Sequence, residues 1–253
     1  MIEIRNISKS FGEAEILKDI SFTFQTGKVN IIIGQSGSGK SVLTKCIVGL
    51  HEPNEGGVYY DERNFTTMKR KERRSIRKEI GMLFQGSALF DSLTVEQNVM
   101  FPLSMFTSMT QKEMQERADF CLERVNLEGK NKLFPAETSG GMQKRIAIAR
   151  AIAMKPKYLF CDEPNSGLDP KTAIVIDNLI REITYEFGIT TVVITHDMNS
   201  VIEIGDNIMF LYNGHKWWEG NKEEIIKTDN PEINAFVYAS EFMKTLKDKL
   251  KEG

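Results

Sequence analysis

The chain has 253 residues, of which 41% are apolar and 27% charged, with a formal net charge of -2. This length and apolar share suit one large α/β domain, or one domain carrying a subdomain. The near-neutral balance gives no electrostatic case for nucleic-acid binding, which usually shows a strongly basic face, and no segment approaches the roughly 20 apolar residues of a membrane span.

The opening residues Met1-Ile2-Glu3-Ile4-Arg5 lack the apolar stretch of a secretion signal. The expectation is a cytosolic protein that reaches a membrane only through a partner or its surface. Cys46, Cys121 and Cys161 are scattered and odd in number. They form no metal-type pair, suit a reducing compartment, and each reads as a small buried apolar residue.

In chain order, segments 2–8 and 20–24 read as strands of an antiparallel edge. Four apolar runs follow, at Val29–Ile33, 80–84, 158–161 and 190–195. Longer helical patterns separate them, which predicts a mainly parallel sheet. Between Ser87 and Ala153 the pattern turns helical, as in a helical subdomain inserted into the α/β core. Residues 110–125 carry helical spacing, with Thr110 as N-cap and Glu113 as its capping-box partner. Residues 143–154 form a second helix with Ile146, Ala149 and Ala153 on one face. Trp217 and Trp218 belong to a late strand, and 231–250 reads as mainly helical.

Each of the four runs ends in residues suited to nucleotide chemistry. In open α/β sheets ligands bind beyond the carboxyl ends of the strands, so the four ends converge on one site. The first is Gly34-Gln35-Ser36-Gly37-Ser38-Gly39-Lys40-Ser41, a Walker A pattern between a strand and a helix. Its glycines let backbone N–H groups wrap a phosphate chain, and the helix start adds a positive dipole end. Lys40 reaches the β- and γ-phosphates, and the Ser41 hydroxyl ligates Mg²⁺. A chance match in a chain this long is on the order of one per cent, which favours the phosphate site.

The second end is Asp162-Glu163. Asp162 at a strand tip suits Mg²⁺, and Glu163 suits a general base that polarises the attacking water. Alone, the pair is equally two solvated acids; a neighbouring Walker A loop and Pro164 weaken that alternative. The third end is Gln85, whose amide can hold a water and a metal-bound oxygen, although a lone Gln is usually a loop residue. The fourth is His196, which could contact the γ-phosphate or orient the water. Taken in isolation, a capping or core histidine is the commoner reading. Ser139-Gly140-Gly141 directly precedes a helix and offers a second anion site, or mere chain reversal. One Walker A loop with two such helix starts fits a two-fold dimer in which each second start faces the other subunit's nucleotide.

These motifs, in this order, resemble the ABC ATPases along most of the chain. The resemblance implies a P-loop core with a mainly parallel sheet, an N-terminal antiparallel β element and a helical insertion. It divides the chain into a domain at 1–230, with core parts 1–86 and 155–230 and a helical subdomain at 87–154, and a helical extension at 231–253. It also implies that Phe11 stacks on adenine, where most members have Tyr, although a core Phe is an open alternative. Gln85 matches the Q-loop and Ser139-Gly140-Gly141-Met142-Gln143 the signature loop, with Thr138 where Leu is usual. Residues 158–163 match Walker B with its catalytic Glu, Ser166-Gly167-Leu168-Asp169 the D-loop, and His196 the switch histidine. The implied cofactors are ATP and Mg²⁺. The implied partners are a second copy of the chain and an integral-membrane permease at the cytoplasmic face of the inner membrane. No nucleic acid is implied.

Within the family, residues 82–90 and Gly141-Met142-Gln143-Lys144-Arg145 are similar to ATPases of the maintenance-of-lipid-asymmetry type. Those work with MCE-domain lipid carriers, which implies phospholipid trafficking with an MCE-domain protein as partner. An importer for small solutes such as amino acids stays open. So do a soluble ABC ATPase of DNA repair or translation and a non-hydrolysing ATP-binding scaffold. No long coiled coil appears and there is room for one nucleotide domain, which argues against the repair and translation readings. Retention of Glu163 and His196 argues against the scaffold. Leu89, Phe90, Leu93, Val99 and Phe101 are read as an exposed apolar groove for a permease helix, or as ordinary packing of the subdomain. The basic run 68–78 reads as a solvated helix face rather than a lipid contact.

Overall fold

The computed structural model describes residues 1–238, so part of the expected C-terminal extension, 239–253, lies outside the described residues. Two sheets organise the described residues. One is antiparallel, in the order β2-β1-β4-β5, built from β1 (Ile2–Phe11), β2 (Ala14–Phe24), β4 (Glu55–Tyr60) and β5 (Arg63–Asn64). The other has six strands in the order β10-β9-β3-β8-β7-β6: β3 (Val29–Ile33), β6 (Ile80–Leu83), β7 (Tyr158–Asp162), β8 (Thr190–Ile194), β9 (Asn207–Tyr212) and β10 (His215–Gly220). Its first five strands by sequence are parallel, and β10 returns antiparallel to β9.

The parallel strands are continuous apolar runs because both of their faces are covered. In β3, Val29, Ile31 and Ile33 enter one core while Ile32 enters another. The same alternation sends Leu159 and Cys161 of β7 one way, and Tyr158 and Phe160 the other. The first core lies beneath α3 (Val95–Phe106), α4 (Gln111–Arg124), α5 (Gly140–Ile152) and α6 (Pro170–Phe187). The second lies between the sheet, α1 (Lys40–Ile47) and the antiparallel strands. Cys46, Cys121 and Cys161 are all buried, as a small apolar side chain would be.

The expected antiparallel edge is a full sheet, because β4 and β5 pair on the far side of β1. The expected capping box at Thr110 is present: its hydroxyl accepts from Glu113 N, and the Glu113 side chain reaches back to Thr110 N. The helix expected at 143–154 starts earlier, at Gly140, because Ser139 Oγ caps it by accepting from Met142 N. Strand β6 stops at Leu83, one residue short of expectation. Of the residues read as groove or packing, Val99 takes the packing alternative, fully buried in the first core, whereas Phe90 is exposed.

The basic run forms α2 (Arg70–Lys78), an exposed face on which three of the six cations bond within the chain. Arg73 pairs with Glu52, Arg77 donates to Gly49 O, and Lys78 donates to Phe106 O. Trp217 and Trp218 lie on β10, with Trp217 bonded to Glu232 of α9 (Pro231–Val237). The remaining short helices are α7 (Met198–Ile204) and α8 (Lys222–Lys227). Among the described residues, no helix is long and apolar enough to cross a membrane.

Candidate functional site

The carboxyl ends of β3, β6, β7 and β8 point the same way, because these strands are parallel and in register. The chain leaves β3 at Gly34, whose φ of 153° and crowding both demand glycine: a Cβ there would sit 2.2 Å from Leu211 O. The loop closes at Gly39, φ 104°, which begins α1 without a side-chain cap. The first amides of α1 are therefore left to an external acceptor. Ser38 Oγ is buried and makes no hydrogen bond among the described residues. A glycine cradle, uncapped helix amides and an unsatisfied buried hydroxyl together fit a phosphate chain.

Around this loop lies a cavity of about 920 Å³. Gln35, Ser36, Gly37, Gly39, Lys40 and Ser41 line it from one side, with Gln85, Asp162, Glu163 and His196 opposite. Lys40 Nζ donates to Gly34 O at 2.7 Å and to Gln35 O at 3.0 Å. Burial lowers the Lys40 pKa, and the charges of Glu163 and Asp162 oppose that shift. Asp162 is raised, first by burial and then by repulsion from Glu163. Gln85 Nε2 donates to Ser166 Oγ at 3.4 Å, which ties the loop after β6 to the loop after β7.

Glu163 carries the most unusual backbone of the site, with φ 47° in the left-handed region. Its N–H donates to Ile194 O at 2.8 Å, and its Oε1 meets His196 Nδ1 at 2.8 Å. The Glu163 side chain is 16% exposed and that of His196 68% exposed, so the pair runs from the sheet edge toward solvent. The donor set of Ser41, Gln85 and Asp162 is all oxygen, which suits a hard cation such as Mg²⁺.

Other expected residues lie elsewhere. Phe11 ends β1, is exposed, and stands edge-on to His51 at 5.3 Å with Lys9 over its ring; it is not among the residues lining the cavity. Ser139, Gly140 and Gly141 form the exposed start of α5, also outside the cavity. Gly141 has a packing reason as well: a Cβ there would lie 2.6 Å from the Thr172 side chain on α6.

Sequence reasoning missed Ile16, Val42, Ile194, Ala235 and Phe236, which supply the apolar lining. Ile16 and Phe236 come from distant elements and carried no local signal. It also missed Lys144, which is buried and donates to Gln85 O and, at 3.5 Å, to Glu163 O. A signal for it existed: Ala147, Ile148 and Ala151 place Lys144 on the apolar face of α5. A second cavity of about 590 Å³ lies between the sheets. Its two cations are paired, Arg5 with Glu3 and Lys216 with Glu219, while Asp206 accepts from Val29 N and Glu224 from Asn221 N.

Residues 17–166 match the family described as ABC transporter. A methionine import ATP-binding protein, MetN, of Campylobacter jejuni is 38% identical across 96% of this chain and 77% of its own length. A probable ribonucleotide transport ATP-binding protein, mkl, of Mycobacterium bovis is 36% identical across 93% of this chain and 66% of its own. The dimeric structure of the ATP-binding cassette MJ0796 with ADP and Pi superposes with a TM-score of 0.79. It shares 35% identity, over 88% of this chain and 99% of the other. CbiO1 of Clostridium perfringens, part of the cbiONQ transporter complex, gives 0.85 at 28% identity, over 99% and 98%.

Proposed function

The chain belongs to the ABC transporter family, and from that membership we propose that it drives an integral-membrane permease as one half of a homodimer. It is an ATPase that uses ATP with Mg²⁺. The observation that carries the proposal is the meeting of four strand ends around one cavity with an uncapped glycine loop at its edge.

In the proposed site, residues 34–41 wrap the phosphates and Lys40 offsets the charge of the terminal ones. Ser41, Gln85 and Asp162 hold Mg²⁺, which neutralises charge on the phosphate oxygens. Glu163 accepts a proton from the attacking water, and His196 holds the Glu163 carboxylate and faces the terminal phosphate. Positioning and charge stabilisation supply most of the catalysis. Phe11 faces the base.

Ser139, Gly140 and Gly141 stand outside their own chain's cavity. A head-to-tail dimer turns them toward the partner's nucleotide, and the dimeric relative MJ0796 supports that arrangement. The division into core parts 1–86 and 155–230, an insertion at 87–154 and an extension at 231–253 belongs to this reading. Helices α3, α4 and α5 fall inside the insertion. Phe90, exposed and 4.5 Å from Phe101, offers the permease an apolar contact.

For the cargo we favour phospholipid, with an MCE-domain carrier and a peripheral place on the cytoplasmic face of the inner membrane. The support is the resemblance of residues 82–90 and 141–145 to lipid-trafficking ATPases. A small-solute importer is the second reading, favoured by the identity with MetN. Affinity purification from membranes decides between them. An MCE-domain protein among the partners supports the lipid reading, and a solute-binding protein for amino acids overturns it.

A further inference from the structure

Helix α5 carries Ser139 at its N-cap and turns Ala147, Ile148 and Ala151 into the core. Lys144 lies three, four and seven residues before these, on the same face, and is only 4% exposed. Burial of an ammonium is costly unless the group is well partnered. The partners of Lys144 are main-chain carbonyls: its Nζ donates to Gln85 O and lies 3.5 Å from Glu163 O. Burial lowers the Lys144 pKa, and Cys161, Asp162 and Glu163 oppose that shift. A single cation thus spans the loops after β6 and β7.

Both loops need holding. Glu163 has φ 47°, a left-handed conformation that strains a non-glycine residue. Such strain persists where the surroundings impose it. The loop after Gln85 is strained too, with φ 61° at Ser87 and 49° at Ala88. There a second cation of α5, Arg150, donates to Ser87 O and Ala88 O, both at 2.7 Å. One helix therefore clamps both strained turns with two cations six residues apart.

We infer that Lys144 is a positioning residue for ATP hydrolysis: its ammonium bridges the carbonyls of Gln85 and Glu163, holding the Glu163 turn and locking both loops to α5. Lys144 touches no reacting atom; it acts through Glu163. Because Ser139 starts the same helix, the bridge also links the signature loop to the site of its own chain. This inference rests on the role proposed for Glu163.

The test uses the full chain purified with its membrane partners, in four variants. Lys144→Met removes the donor, Lys144→Gln keeps a neutral one, Lys144→Arg keeps the charge, and Glu163→Gln is the control. The expected result for Lys144→Met and Lys144→Gln is a roughly ten- to hundredfold fall in kcat, with KM and ATP affinity within about twofold of native. Lys144→Arg recovers most of the loss. Should the Met variant fail to fold, the Gln variant carries the comparison. If a folded Met or Gln variant turns over within twofold of native while Glu163→Gln is inactive, Lys144 merely fills the helix face. An equal loss in the Arg variant also overturns the inference. If Glu163→Gln itself turns over normally, it is the reading of Glu163 that fails.

Discussion

Glu163 and His196, 33 residues apart, meet through Oε1 and Nδ1 at 2.8 Å. The contact exists because β7 and β8 are adjacent and in register, with Asp162 opposite Ile194. A carboxylate held by an imidazole at a strand end is placed to orient and deprotonate a water.

Glu163→Gln preserves the shape of the side chain and removes its basicity. Turnover is expected to fall by roughly 10²–10⁴, with ATP binding retained. Phosphate release and nucleotide affinity, measured on the same preparation, check both halves. Near-native turnover removes Glu163 from the role of base.

Lys40→Ala acts on binding. A charged hydrogen bond contributes about 1.5–3 kcal/mol, so ATP affinity should drop roughly ten- to hundredfold, with turnover falling too. Unchanged affinity in a direct binding titration would contradict the contact with the phosphates.

Asn98 is fully buried, and its side chain accepts from Phe90 N and donates to the carbonyls of Phe90, Leu93 and Thr94. Asn98→Ala strands those groups and is expected to cost about 2–3 kcal/mol. Chemical denaturation reads the loss; a change below about 0.5 kcal/mol would mean that water replaces the amide.

Asp177 on α6 is 3% exposed, and burial pushes its carboxyl up to about 6 despite Asn165 and Ser200 nearby. A carboxyl raised in the folded state binds more protons there than in the unfolded chain. Stability therefore falls as pH rises from the ordinary carboxylate range through about 6, and the cost is fully present above that. Asp177→Asn should flatten this part of the stability curve and raise stability at pH 8 relative to pH 4. Denaturation midpoints at the two pH values test it, and an undiminished native-like difference would point to another group.

The site was legible in sequence because its chemistry sits at strand ends, where short motifs carry the information. Six of the eight Walker A residues line one cavity with Gln85, Asp162, Glu163 and His196; Gly34 and Ser38 lie behind the lining. Pieces that depend on distant packing were not legible. Phe236 reaches the cavity from α9 by packing against Phe210, a contact no local pattern announces. The pattern left Val99 open between groove and packing, and α3 turns it inward to the first core. Strand β4 escaped notice because Glu55-Gly56-Gly57 lacks β-branched residues; pairing with β1 overrides its weak propensity. Lys144 was readable from helical periodicity, but a charge on an apolar face is easily taken for a solvated one.

The central claim is that the glycine loop, the paired acids and the imidazole surround one triphosphate, which a second copy of the chain closes. The structure of Glu163→Gln with MgATP tests it most directly. The account predicts phosphates against Lys40 and Ser41, the γ-phosphate between residue 163 and His196, and the partner's Ser139 on its far side. Nucleotide bound away from the loop at 34–41, or a closed site with no second copy, would contradict it.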